Sequence, residues 1–176
     1  MLDRLRRAYP LKVELVPLLL ALLTSYILLS TFPGLSDQVP THFNPAGQPD
    51  RWGTRVVLLL LWVAQIGLVY IPASLFGLAL AVMGDFRSLV SLPGVMKREL
   101  TADQAEAVRI WAIRLLLVTK TLAMALLAVV LYNSIRLAQG ETALWGGIFW
   151  AVLALLLVGT AFIIWRLLSL QKKGDV

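Results

Sequence analysis

Cysteine is absent from the 176-residue chain, and histidine occurs once, at His42. Without thiols there is no disulfide, no thiolate metal site and no redox motif, and the compartment is not readable from cysteine usage. A lone histidine without a convergent ligand set leaves no metal site and no cofactor to expect. Paired carboxylates within a span, a nucleophile motif and a phosphate-binding loop are also missing, so the chain is not expected to be an enzyme. Charge is scarce as well: 15% of residues are charged, against about a quarter in soluble domains.

What the chain has in abundance is apolar side chains. Hydrophobic residues make up 59%, and the mean hydropathy is +0.81. The net charge is +6. In a soluble protein that basicity would point to nucleic acid. Beside long apolar runs it instead marks the flanks of membrane spans, so the expected partner is the lipid bilayer and no nucleic-acid partner is expected.

Four runs, 15–32, 56–83, 115–135 and 144–165, contain a single charge, Lys120. A bilayer core needs roughly 20 apolar helical residues. The runs are rich in Leu and Ala, and backbone polar groups in lipid must pair internally, so helices are expected. The predicted fold class is an all-α membrane protein with four transmembrane helices in one polytopic domain, 1–176. Its spans are 13–32, 56–83, 110–135 and 144–167, with an outer loop at 33–55 and a cytoplasmic segment at 84–109. The first run follows basic residues, as a signal peptide does. Phe32-Pro33-Gly34 is a poor cleavage signature, so it reads as a retained span. The second run would reach about 42 Å. Pro72, with Gly67 and Gly77 around it, is expected to kink it.

Lysine and arginine set the orientation. Arg4, Arg6, Arg7 and Lys12 precede span one; Arg87, Lys97, Arg98, Arg109 and Arg114 lie between spans two and three; Arg166, Lys172 and Lys173 follow span four. The other two loops hold only Arg51, Arg55 and Arg136. Both termini are therefore expected in the cytoplasm. Trp52 and Trp145 sit near outer span ends, and Trp111 and Trp165 near inner ones, as an aromatic belt requires. In the cytoplasmic segment, Leu92-Pro93-Gly94 reads as a turn and Thr101-Ala102-Asp103-Gln104 as a capping box. Ala102, Ala105, Val108 and Trp111/Ala112 recur at helical spacing, and Glu106 and Arg109 are spaced to pair.

The outer loop is too long for a bare connector. Four prolines from Pro33 to Pro49 stiffen it. Asn44-Pro45-Ala46-Gly47 fits a type I turn, which with glycine in the left-handed region closes a bulged β-hairpin. Residues 39–43 and 48–52 would be its arms, with Thr54 as a cap for span two. An ideal register pairs His42 with Pro49 and Thr41 with Asp50, which puts His42 and Asp50 on opposite faces. The expected ligand- or partner-binding residues are His42, Asn44, Gly47, Asp50, Arg51 and Trp52. The alternative is local: Asn44 and Asp50 bond nearby amides while His42 packs or caps.

The stretch "LSDQVPTHFNPAGQPDRWGTR" after a first apolar run resembles the N-terminal domain of the SdpI-type membrane proteins. Val39, Pro40, His42, Phe43, Asn44, Gly47, Asp50, Arg51, Trp52 and Gly53 match that family's pattern. Ser36 replaces a usual proline, and Arg55 a frequent lysine. The resemblance covers these twenty-odd residues and the flanking spans. It implies a bacterial, multi-pass protein of the cytoplasmic membrane. The best-known member confers immunity to a secreted peptide toxin and signals by holding a repressor at the membrane.

Lys120 is the one formal charge deep in a span, which makes it a functional candidate. Two readings stand beside that one: it snorkels to the headgroups, or it contacts Glu14 at the inner end of span one. Thr24, Ser25, Tyr26, Gln65, Tyr70 and Ser74 are expected to hydrogen-bond between helices. Gly146-Gly147 and Gly159 permit close helix approach, and Asn133 and Arg136 could meet the outer loop. The expected function is a membrane binding, immunity or signalling protein whose outer loop recognises a peptide or envelope partner. The alternative is a small transporter or an accessory subunit of one. A membrane-protein partner and a homo-oligomer both stay open.

Overall fold

The computed structural model describes Tyr9 and residues 11–83, 101–142 and 146–172. Helix α1, Leu11–Thr31, ends in a 3-10 turn, Phe32–Gly34. Strands β1, Gln38–Phe43, and β2, Pro49–Thr54, form an antiparallel hairpin. Three helices follow: α2, Val56–Val82, α3, Ala102–Ala138, and α4, Gly146–Lys172. The predicted turn at Leu92-Pro93-Gly94, the belt residue Trp145, and residues 84–100 of the expected cytoplasmic segment lie outside the described residues.

All four helices are long and apolar enough to cross a membrane. Their surface agrees with that. Leu68 is 76% exposed and Val158 68% exposed, among many large apolar side chains facing outward from α1, α2 and α4. Such continuous apolar surface is uncommon on proteins solvated by water.

Helix α3 is the exception and the hub. None of its large hydrophobics is exposed, and it packs against α1, α2, α4 and β1. From Ala105 through Arg109, Ile113, Leu117 and Lys120 to Met124 its buried residues recur every three or four positions, which lines them along one face; Leu131 and Ile135 lie further along the helix, with Asn133 and Ser134 buried beside them. Of the predicted stripe, Ala105 is buried but Ala102 is exposed and Val108 only half-buried. The buried face is turned toward Arg109 because that side chain has acceptors to reach. Its guanidinium donates to the carbonyls of Ala81 (3.4 Å) and Met83 (3.1 Å) and to Glu106 Oε1 at 2.5 Å. It thereby satisfies carbonyls that the end of α2 leaves unpaired. The expected Glu106–Arg109 pair and capping box both form: Gln104 N donates to Thr101 Oγ1 (3.3 Å), and Thr101 N to Gln104 Oε1 (3.0 Å).

Proline shapes α2 by another route than a simple kink. The helix is α over Val56–Val63, π over Ala64–Tyr70, and α again from Ile71. Pro72 has no N–H for the carbonyl four residues back, and just before it Ile71 N donates to Ile66 O, one residue further back than in an α-helix. The π segment carries Gln65, fully buried, whose Nε2 donates to Met124 O at 3.0 Å. Gly159 meets Val118 at ordinary contact distance, so α4 does approach α3 there, whereas Gly147 faces open space.

The hairpin is not a free loop. Val39 is buried with Leu28, Leu35, Leu58, Leu131 and Ile135, a cluster joining α1, the hairpin, α2 and α3. Arg55 fastens the return: it donates to the carbonyls of Phe32 (3.4 Å) and Leu35 (3.1 Å) and lies 3.5 Å from Asp37. Arg55, not Thr54, occupies the cap position of α2, and no side-chain cap bond forms. The α3 residues that meet the hairpin core are Leu131 and Ile135. Asn133 instead bonds back to Val129 O, and Arg136 pairs with Glu141 at 2.8 Å.

Candidate functional site

The hairpin tip is built as its residues require. Gly47 N donates to Asn44 O (2.8 Å), closing the turn, and Gly47 has φ +79°. Glycine adopts that left-handed conformation without a Cβ clash. Asn44 Oδ1 accepts from Gln48 N at 2.9 Å, so one half of its amide is committed to the turn.

The predicted separation of His42 from Asp50 is wrong. His42 Nδ1 lies 2.5 Å from Asp50 Oδ1, with both side chains about half exposed. The cause is register. Pro40 pairs with Trp52, but His42 pairs with Arg51 and Phe43 with Pro49, so irregularities flank His42. A bulge breaks the strict alternation of side chains across a strand. Here Thr41 and Asp50 drop out of the ladder, and His42 and Asp50 share a face.

His42 and Asn44 line a pocket of about 430 Å³ together with Thr41, Phe43, Pro45, Val130, Phe149 and Trp150. The pocket thus lies where the hairpin tip faces α3 and the start of α4. Phe149 and Trp150 meet edge to face, with centroids 5.3 Å apart. Of the other predicted residues, Asp50 reaches the site only through His42, Gly47 shapes the turn, and Arg51 and Trp52 are exposed outside the lining. Sequence reasoning missed Val130, Phe149 and Trp150, because each sits in an apolar run where nothing separates a pocket wall from a lipid-facing residue.

A second polar site lies inside the bundle. Lys120 Nζ donates to the Glu14 carboxylate, to Ser74 Oγ at 2.9 Å and to Tyr9 Oη at 3.4 Å, and lies 5.4 Å from the Tyr70 ring centroid. Tyr9 also donates to Glu14. The Lys120 side chain is fully buried and that of Glu14 16% exposed. Of the two readings set beside a functional role, contact with Glu14 is the one that forms, and the ammonium is buried against it rather than extended to the surface. Burial, then the bond to Glu14, pushes the Tyr9 phenol above its ordinary value, so it stays a donor. Sequence reasoning paired Lys120 with Glu14 but missed Tyr9, whose ring is seated against Gly77. A Cβ there would come within 2.6 Å of it.

The other scattered hydroxyls divide. Trp62 Nε1 donates to Ser25 Oγ across helices (2.8 Å), while Thr24 bonds back to its own helix. Among the described residues no group of three or more His, Cys, Asp or Glu is arranged to hold a metal.

Residues 18–66 match the family described as a domain of unknown function, DUF1648. The matched stretch takes in most of α1, the whole hairpin and the start of α2. A protein of Archaeoglobus fulgidus, named only as uncharacterized, is 52% identical over 42 residues, 24% of this chain. The chain spans only 22% of that relative's length. No solved structure matches.

Proposed function

We propose that the chain is a multi-pass membrane protein that binds a peptide or envelope partner at its hairpin pocket. Four apolar helices with outward-facing leucines support the crossing. The excess of Lys and Arg around the end holding both termini supports an N-in, C-in orientation in the cytoplasmic membrane. The hairpin then lies outside.

The pocket carries the reading. Its polar edge, His42 and Asn44, is held rigidly by the turn and the Asp50 contact, and its aromatic wall comes from a different element. Rigid polar groups facing an apolar wall are the usual make-up of a recognition site. The resemblance to SdpI-type proteins extends this proposal to immunity or signalling, with no catalytic step assigned.

A photo-crosslinking residue at Thr41, used in native membranes, should capture a discrete partner that is lost with His42→Ala and Trp150→Ala. Crosslinks to lipid alone, unchanged by those substitutions, would sink the proposal.

The buried Lys120–Glu14 pair favours transport as a second reading, since intramembrane ionisable groups mark ion and substrate routes. Reconstituted vesicles with no flux under proton or ion gradients, wild type and Lys120→Met alike, would remove it.

A further inference from the structure

Two arginines from different helices converge on one indole at the end of the bundle opposite the hairpin. The guanidinium carbon of Arg114, on α3, lies 4.9 Å from the Trp111 ring centroid, and that of Arg166, on α4, lies 5.7 Å from it. The indole attracts each guanidinium, but the two like charges still repel one another, and an anion between them would offset that repulsion. Among the described residues neither forms an ion pair with a carboxylate. Glu106, the nearest acid along α3, is taken by Arg109 at 2.5 Å. Arg114 is exposed and Arg166 half-buried, so both can reach a ligand from outside.

We infer that Arg114, Arg166 and Trp111 form a binding site for the phosphate of an anionic phospholipid headgroup. Position in the chain selects lipid over a dissolved anion. Arg114 immediately precedes the apolar run of α3, and Arg166 closes the apolar run of α4, so both sit where hydrocarbon would give way to headgroups. Phe162 and Trp165, within the last turn before Arg166 on α4, are exposed, with ring centroids 6.0 Å apart and planes tilted by 36°, and offer apolar surface to an acyl chain. A guanidinium fork matches phosphate oxygens in bidentate fashion while its face rests on an aromatic ring. Basic sites between helices at a cytoplasmic surface are where acidic headgroups bind. The inference rests on the proposal that the helices cross a bilayer, and flotation with vesicles tests that part separately.

Wild type and Arg114→Gln/Arg166→Gln are inserted into vesicles of equal phosphatidylglycerol and phosphatidylcholine, floated to establish insertion, then solubilised, and the co-purifying lipid is measured. Wild type should carry phosphatidylglycerol in excess, falling about fivefold per arginine removed, while Arg136→Gln, which loses one charge at the hairpin end, retains it. An inserted double variant with undiminished excess, or an equal loss in Arg136→Gln, overturns the site. If inorganic phosphate abolishes the excess where chloride at matched ionic strength does not, the site takes a free anion and the lipid assignment fails. A protein that does not float overturns the membrane reading as well.

Discussion

Two acid–base pairs in this protein have opposite surroundings. His42 and Asp50 are eight residues apart on one hairpin and about half exposed. Lys120 and Glu14 are 106 residues apart on two helices and nearly or fully buried. An exposed pair adds little stability, because water and salt already screen its charges. Under the proposed function, its part is to hold one imidazole nitrogen of His42 at the pocket. A buried pair is different. The two charges are tolerable only together, so the pair fixes how α1 and α3 must meet. One region is arranged to be reached, the other to be closed.

Substitutions test that contrast, beginning with the largest expected effect. Lys120→Met leaves Glu14 without its countercharge and should lower stability in detergent by about 3–5 kcal/mol. Glu14→Gln combined with Lys120→Met should recover much of the loss. Thermal unfolding of the single and double variants checks this, and simple additivity would show that the two side chains do not act as a pair.

Gly77→Ala comes next. Its Cβ would collide with the Tyr9 ring, so Tyr9 must leave its seat, at about 1–3 kcal/mol for overpacking. In a Tyr9→Ala background most of that cost should disappear in the same unfolding assay, leaving only Leu116 Cδ2, 3.2 Å from the new Cβ, to give way. Gly47→Ala forces a Cβ into the left-handed region at the hairpin tip, worth about 1–2 kcal/mol locally. It should weaken crosslinking at Thr41 several-fold while moving the global unfolding midpoint less than Gly77→Ala does.

Asp50→Asn should have the smallest effect on stability, below about 1 kcal/mol. It should still reduce partner capture, because His42 loses the group that orients it. A large fall in unfolding midpoint would make the His42–Asp50 contact structural and blur the distinction between the two pairs.

Much of the hairpin was legible from residues alone. Asn44, Pro45 and Gly47 each prefer one turn position for a local reason, and the turn forms as those preferences require. The capping box at Thr101 and Gln104 was legible for the same reason. The His42–Asp50 contact was not, because it depends on where the ladder slips. A bulge is chosen by packing of the whole hairpin, here with Val39 drawn into a cluster between three helices. Pro72 announced an irregular helix, yet its form, a π segment that carries Gln65 to Met124, needed a neighbour to bond to.

The sequence by itself determined four long apolar helices, a proline-stiffened turn-rich insert and the asymmetry of basic charge. Each follows from local chemistry: hydrophobic run length, turn preference and charge count. Only the tertiary structure decided that α3 is the centre of the bundle, that Tyr9 and Ser74 join Lys120 and Glu14, and that α4 supplies an aromatic wall to the hairpin pocket. Apolar runs of similar composition do not encode which faces meet. The faces that meet are joined by buried polar contacts between elements, Lys120 with Glu14 and Ser74, Gln65 with Met124 and Arg109 with Ala81 and Met83, because a buried polar group is costly without a partner.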